Sequence, residues 1–308
     1  MKRTRAILPL LLLAALLLTG CGQTAAPAET SAPEPAETPA PTMRMDQTAT
    51  AADMTTVEDV VPEGREPVYA SSLEDGSYDV QVDCSSSMFR IDRCVLTIAD
   101  GGMQAELLMN SDSYLYLYPG TAEEAAAAGE ESYIPLTEGE DGMHHALLPV
   151  ESLDSGVSCA AFSRKKELWY DRTLCFRSDS LPLEAFRADQ LATVESLDLA
   201  DGQYTTEVRL EGGSGKASLE NPALLTVDNG LCTAEIRWGS SHYDYMKVGG
   251  EQYFPVNSEG NSCFVIPVPV FDRPFAVVAD TTAMSEPHEI TYSLCFSSDS
   301  LAKAESAA

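Results

Sequence analysis

From residue 73 onward the apolar positions recur with a period of two. In YDVQVDC (78–84), Tyr78, Val80, Val82 and Cys84 alternate with polar residues. CVLTIAD (94–100) and ALLTVDN (223–229) alternate or run continuously apolar. Side chains alternate faces along a strand, so this pattern predicts short strands with one face inward. The turn signals DG, DGG and DNG bound these runs at roughly ten-residue spacing. About 100 residues of such strands read as an antiparallel β-sandwich with one core.

The pattern occurs twice. Leu73-x-Asp75-Gly76-x-Tyr78 matches Leu199-x-Asp201-Gly202-x-Tyr204, and VLTIADG (95–101) matches LLTVDNG (224–230). AELLMNSDSYLY (105–116) aligns with AEIRWGSSHYDY (234–245) without a gap. ESYIPL (131–136) matches EQYFPV (251–256), LLPVESLD (147–154) matches VIPVPVFD (265–272), and CFRSDSL (175–181) matches CFSSDSL (295–301). The blocks keep one order, which marks a duplicated domain. The expected copies are residues 73–181 and 199–301, with a linker at 182–198, helical around Leu183 to Leu191, and a tail at 302–308. AEEAAAAGE (122–130) occurs only in the first copy and predicts a loop or short helix.

The first 20 residues carry Lys2, Arg3 and Arg5, then an apolar run from Ala6 to Leu18. This run predicts an export signal. It ends Leu18-Thr19-Gly20-Cys21, which resembles a bacterial lipoprotein box with Cys21 as the lipidated residue. Two acyl chains would suffice to hold the protein on the outer face of a cell membrane. Residues 21–72 contain Ala/Pro/Thr/Glu-rich stretches such as AAPAETSAPEPAETPAPT, and predict a disordered tether.

Formal net charge is −29; loss of residues 1–20 removes three of the 19 Lys+Arg and no Asp or Glu, giving −32. Such a chain does not bind nucleic acid by electrostatics. Seven cysteines follow Cys21, an odd number without zinc-type spacing, and most fit buried strand positions. Enzyme chemistry finds little support: no nucleophile elbow accompanies the Ser, His and Asp residues. GGSGKAS (212–218) lacks the spacing of a phosphate loop.

The block order resembles the NEAT (near iron transporter) domain: an opening DG-x-Y, then LTV-x-NG, a Ser-rich stretch with Tyr-x-Tyr, and a closing strand with Tyr-x-L-x-F. The resemblance covers nearly all of the second copy and, more loosely, the first. It implies two tandem immunoglobulin-like sandwiches on a Gram-positive cell surface, binding haem, a haemoprotein or another iron-containing ligand for iron acquisition, mainly through the second copy. Haem-binding members hold iron with the first tyrosine of Tyr-x-x-x-Tyr, beneath a Ser-rich lip. In the second copy the lip matches Ser240, Ser241, His242, Tyr243, Tyr245, Met246 and Lys247, and the ligand strand matches His288-x-x-x-Tyr292. His288 stands where the family has tyrosine, and imidazole is itself an iron ligand. His288 and Tyr292 share one strand face but would stand about 13 Å apart on a regular strand, so their contact requires an irregular start at Pro287. In the first copy Leu168, Arg172 and Ser113 replace His288, Tyr292 and His242, so that copy is expected to bind no haem. Trp169 and Tyr170 point to opposite faces, and His144-His145 is expected as a solvated pair. The alternative is a non-enzymatic surface module for a protein or glycan, without a tetrapyrrole. A further option is capture of a divalent metal by His288 and acidic loops.

Overall fold

A computed structural model describes residues 43–54, 58–283, 286 and 288–304. The expected export signal, Cys21, the first half of the tether, Pro287 and the end of the tail lie outside them.

The period-two segments form strands, all paired antiparallel. The first sandwich contains β1 (Gly76–Asp79), β2 (Gln81–Cys84), β3 (Arg93–Ala99), β4 (Gly102–Met109), β5 (Tyr114–Tyr118), β6 (Ile134–Pro135), β7 (Thr137–Glu138), β8 (His144–Val150), β9 (Val157–Ser163) and β10 (Leu168–Arg177). They make two sheets, β1-β3-β4-β8-β7 and β2-β10-β9-β5-β6. The second sandwich contains β11 (Gly202–Thr206), β12 (Val208–Gly212), β13 (Ala223–Asp228), β14 (Leu231–Arg237), β15 (Tyr243–Val248), β16 (Glu251–Tyr253), β17 (Cys263–Pro267), β18 (Phe275–Thr281), β19 (His288–Phe296) and β20 (Ala302–Lys303). Its sheets are β17-β14-β13-β11-β20 and β12-β19-β18-β15-β16. The first extended segment of each copy is divided between the two sheets, switching at Val80 and at Glu207.

Alternation places one face of each strand between the sheets. Leu96, Ile98, Leu107, Leu148, Leu174 and Phe176 fill the first core; Leu225, Val227, Ile236, Ile266, Leu294 and Phe296 fill the second. Each such side chain contributes about 1.5–3 kcal/mol of transfer free energy. The seven cysteines among the described residues are free. Burial pushes the thiols of Cys94, Cys159 and Cys175 up to about 12, so they behave as small apolar residues.

The repeated SDSL tails have a specific partner. Asp154 and Asp272 adopt left-handed backbone conformations, φ 55° and 58°. Their amides donate to the carbonyls of Phe176 and Phe296, each at 2.8 Å. Their carboxylates accept from the amide and hydroxyl of Ser178 and of Ser298. An Asp-to-Ser latch therefore closes the final strand in both copies.

The helical stretch expected in the linker consists of two short 3₁₀ helices, Leu183–Ala185 and Ala188–Gln190; Leu191 packs against both cores. One expectation is corrected: the described part of the expected tether from residue 43 onward forms a strap against the sandwiches. Thr48 makes a parallel bridge to Trp169 beyond the end of β2, and Val68 bridges Leu153. The Trp169 indole donates to the Met45 carbonyl at 3.0 Å. The insertion forms helix α1 (Ala122–Ala127), whose capping box joins Thr121 and Glu124. Ala122 and Ala125 pack with Tyr133, Phe162 and Trp169 on the outside of the sheet. Composition predicts disorder from average hydrophobicity, and misses these few anchors because each is a single residue meeting a partner far along the chain.

The strap also delivers Arg65, whose side chain is 1% exposed. Its guanidinium meets Asp154 at 3.2 Å and Asp179 at 2.8 Å from the first sandwich, and Glu211 from the second. Asp179 is shared with Arg177 at 2.8 Å and with the Ser293 hydroxyl of β19. Burial alone would raise the Asp179 carboxyl, but hydrogen bonds from Arg177, Arg65 and Ser293 outweigh it and hold the group at about 2. Because the folded value lies below the ordinary 3.8, the contribution is complete above that value and is lost as pH falls through about 2. Urea unfolding should show Asp179→Asn less stable than wild type by at least about 2 kcal/mol at pH 6. The gap should shrink towards pH 2; an equal gap at both pH values contradicts the assignment.

Candidate functional site

Strands β10 and β19 align with an offset of 120 residues, and their inward faces can be compared position by position. In β19 the inward series is Phe296, Leu294, Tyr292 and Ile290. In β10 it is Phe176, Leu174, Arg172 and Tyr170. The apolar series thus breaks in the first copy, where an arginine is carried into the end of the core. Arg172 is 6% exposed. One of its terminal nitrogens donates to the Tyr114 hydroxyl at 3.3 Å, the other to the Asp171 carbonyl at 2.7 Å. Its side chain also lies over the Tyr170 ring, 5.1 Å from the centroid. Its Nε is buried and has no hydrogen-bond partner among the described residues.

A cavity of about 470 Å³ opens beside Arg172, within the range of roughly 300–1,000 Å³ usual for small-molecule sites. The strap contributes Asp53 and Met54 to its wall, and the loop after β2 contributes Ser85, Ser86 and Met88. The turn before β5 adds Asp112 and Ser113, and the β9–β10 hairpin adds Arg164, Lys165 and Lys166. Four of the 16 Lys+Arg beyond residue 20 therefore line one cavity of a strongly acidic chain. The carboxylates there are engaged locally. Asp171 accepts from the Ala122 amide at 2.7 Å, and Asp112 lies 4.0 Å from Arg164. Asp53 accepts from the amide and hydroxyl of Thr50, which hold its carboxyl below the ordinary value.

The second copy is filled at the corresponding place. Trp238, opposite Met109 in the alignment, stacks on Tyr243 at 4.1 Å between centroids and tilts against Tyr292 at 5.1 Å. The hydroxyls of Tyr243 and Tyr292 share a hydrogen bond at 3.2 Å, the counterpart of Arg172 to Tyr114. The loop after β12 lies directly on this cluster. Gly213 has φ +61°, and a Cβ there would sit 2.7 Å from the Tyr292 ring. Only glycine accommodates both the left-handed backbone and that approach.

The residues expected as a haem site are accordingly spread over different roles. Tyr243, Tyr292 and Met246 belong to the core, and the Trp238 indole donates to the Met246 sulfur at 3.4 Å. Burial and the Tyr243 hydrogen bond push the Tyr292 phenol above its ordinary value, opposite to the direction a phenolate ligand needs. Lys247 is paired with Glu289, which also accepts from Tyr245 at 2.6 Å. That hydrogen bond, with burial, pushes the Tyr245 phenol up to about 12. Ser240 supports a turn by accepting from the His242 amide at 3.2 Å; Ser241 and His242 are exposed. His288 is exposed and pairs with Thr281 at the start of an unbroken ladder running to Leu294. The irregular start needed to bring His288 onto Tyr292 is therefore absent from the described part of this strand. Among the described residues no group of three His, Cys, Asp or Glu is placed to hold a metal. His145, expected in solvent, is held between Glu106 at 2.9 Å and Asp141 at 3.0 Å. Those two hydrogen bonds raise its titration point.

Sequence reasoning aligned Arg172 with Tyr292 but left it unused. The available signal was a charged residue at an inward position of a long strand whose other residues on that face are apolar or aromatic. No protein-family model matches the chain, and no characterised protein matches it either.

Assignment of the second copy's aromatic cluster to packing has a direct consequence. Trp238→Ala should lower stability by about 3–5 kcal/mol, while His288→Ala and His242→Ala should each change it by less than about 0.5 kcal/mol. Urea unfolding of the three variants checks this, and a large loss for either histidine variant contradicts it.

Proposed function

We propose that this protein is a non-enzymatic surface-binding protein, whose first sandwich carries the ligand site and whose second sandwich supports it. The observation that carries the proposal is the cavity beside Arg172, walled by the strap, the turn before β5 and the β9–β10 hairpin. Cavities at the end of a rigid sandwich, framed by loops, suit ligand capture because the framework holds the loops in place. The acidic composition supports solubility and repels nucleic acid. The Leu-Thr-Gly-Cys21 sequence supports attachment at the outer membrane face by lipid. The filled end of the second sandwich weighs against the haem site implied by the family resemblance, and in favour of a module without a tetrapyrrole.

Thermal melting of the full chain against a panel of small metabolites, with hemin included, tests the proposal. Ligands that raise the melting temperature of wild type should fail to do so for Ser113→Trp, which fills the cavity from its rim. Stabilisation that survives Ser113→Trp contradicts the proposal. So does a hemin Soret band abolished by His288→Ala, which would place the site in the second sandwich.

A further inference from the structure

The cavity's lining also bears on the chemistry of its ligand, on the footing of the function proposed above. Arg172 is a buried guanidinium with no carboxylate within ion-pair distance among the described residues, and its Nε–H lacks an acceptor. A buried cation without a counter-charge is unfavourable, and natural sites retain one where an anion completes it. The second copy supplies the comparison. There the same position carries Tyr292, a neutral group whose single hydroxyl is satisfied by Tyr243. Substituting arginine keeps the hydrogen bond to the facing tyrosine and adds a charge and a free donor.

The rest of the wall narrows the anion. Lys165 and Lys166 stand on the hairpin without an ion pair among the described residues. Met54, Met88, Tyr114 and Tyr170 give the wall apolar surface that a bare inorganic anion would not use. Asp53, Asp112 and Asp171 also lie there, so four cationic side chains face three carboxylates, a balance that a single negative charge matches better than a multiply charged ligand. A planar carboxylate matches two N–H groups of a guanidinium, and each terminal nitrogen of Arg172 keeps a hydrogen beyond the one donated to Tyr114 or to the Asp171 carbonyl. We infer that the first-sandwich cavity binds a small organic monocarboxylate, with the carboxylate on Arg172 and an aromatic or aliphatic body against the methionine and tyrosine side chains.

Calorimetric titration of the full chain with phenylacetate and hexanoate, with their amides and with inorganic phosphate, tests this. At least one acid should bind, with its amide and phosphate weaker by about tenfold or more. Arg172→Met should weaken the acid by a similar factor without weakening the amide. Arg172 is buried, so Lys165→Ala/Lys166→Ala, on the exposed hairpin, is the second arm and should weaken the acid in the same direction. Equal binding of acid and amide, both blocked by Ser113→Trp, overturns the inference and leaves the proposed function standing. Phosphate binding as tight as the acids also overturns it. If neither acid binds at millimolar concentration while a neutral ligand of the melting panel is blocked by Ser113→Trp, the inference fails alone. If Ser113→Trp blocks nothing, both fail.

Discussion

One guanidinium holds the architecture together. Arg65 sits where the strap, the first sandwich and the second meet, and it has acceptors on both sandwiches. A buried charge is costly unless it is paired and hydrogen-bonded, so each partner fixes the others. Asp179 binds Arg65, Arg177 and Ser293 together, and Asp154 serves Arg65 while also latching Ser178. The same aspartate that closes the last strand of the first copy thus helps tie that copy to its neighbour. In the second copy the equivalent of Asp179 is Asp299, which is exposed. The copies share a latch, and one of them has turned its end into a junction.

The strap links this junction to the candidate site. Its residues run from the bridge at Trp169, past Asp53 and Met54 in the cavity wall, to Arg65 and then Val68 at Leu153. It is therefore a third wall that neither sandwich supplies. The duplication then diverged at matching places. A tyrosine faces a tyrosine in one copy and an arginine in the other; a tryptophan fills one interior where a methionine stands in its counterpart. These are single substitutions on a conserved geometry, including the register shift at the start of β5 and of β15.

Much of the fold was legible because period-two alternation and turn residues act locally. The block order of the repeat gave the strand correspondences, and the alignment of His288 with Leu168 agrees with the starts of β19 and β10. What escaped depends on contacts across long separations. Arg65 lies in a polar segment and gains its role only from Asp154, Asp179 and Glu211. The SDSL tails were visible as a repeat, yet their cause is an aspartate more than twenty residues upstream. At the candidate site, the family resemblance pointed to His288 and the Ser-Tyr lip. Whether aromatics line a cleft or fill it depends on Trp238 and Gly213, whose effect is volume and close approach rather than chemistry.

The proposal stands on the placement of ligand capture in the first sandwich. Heteronuclear NMR of the full chain, with phenylacetate or with a ligand that raises the melting temperature, reports on both copies in one sample. Shifts are expected at the Ser113 and Lys165 amides and the Arg172 Nε–H, with the amides of Ser241, His242 and Tyr292 unmoved. No shift with phenylacetate alone removes the carboxylate inference; shifts confined to the second sandwich, or absent with every such ligand, overturn the placement itself.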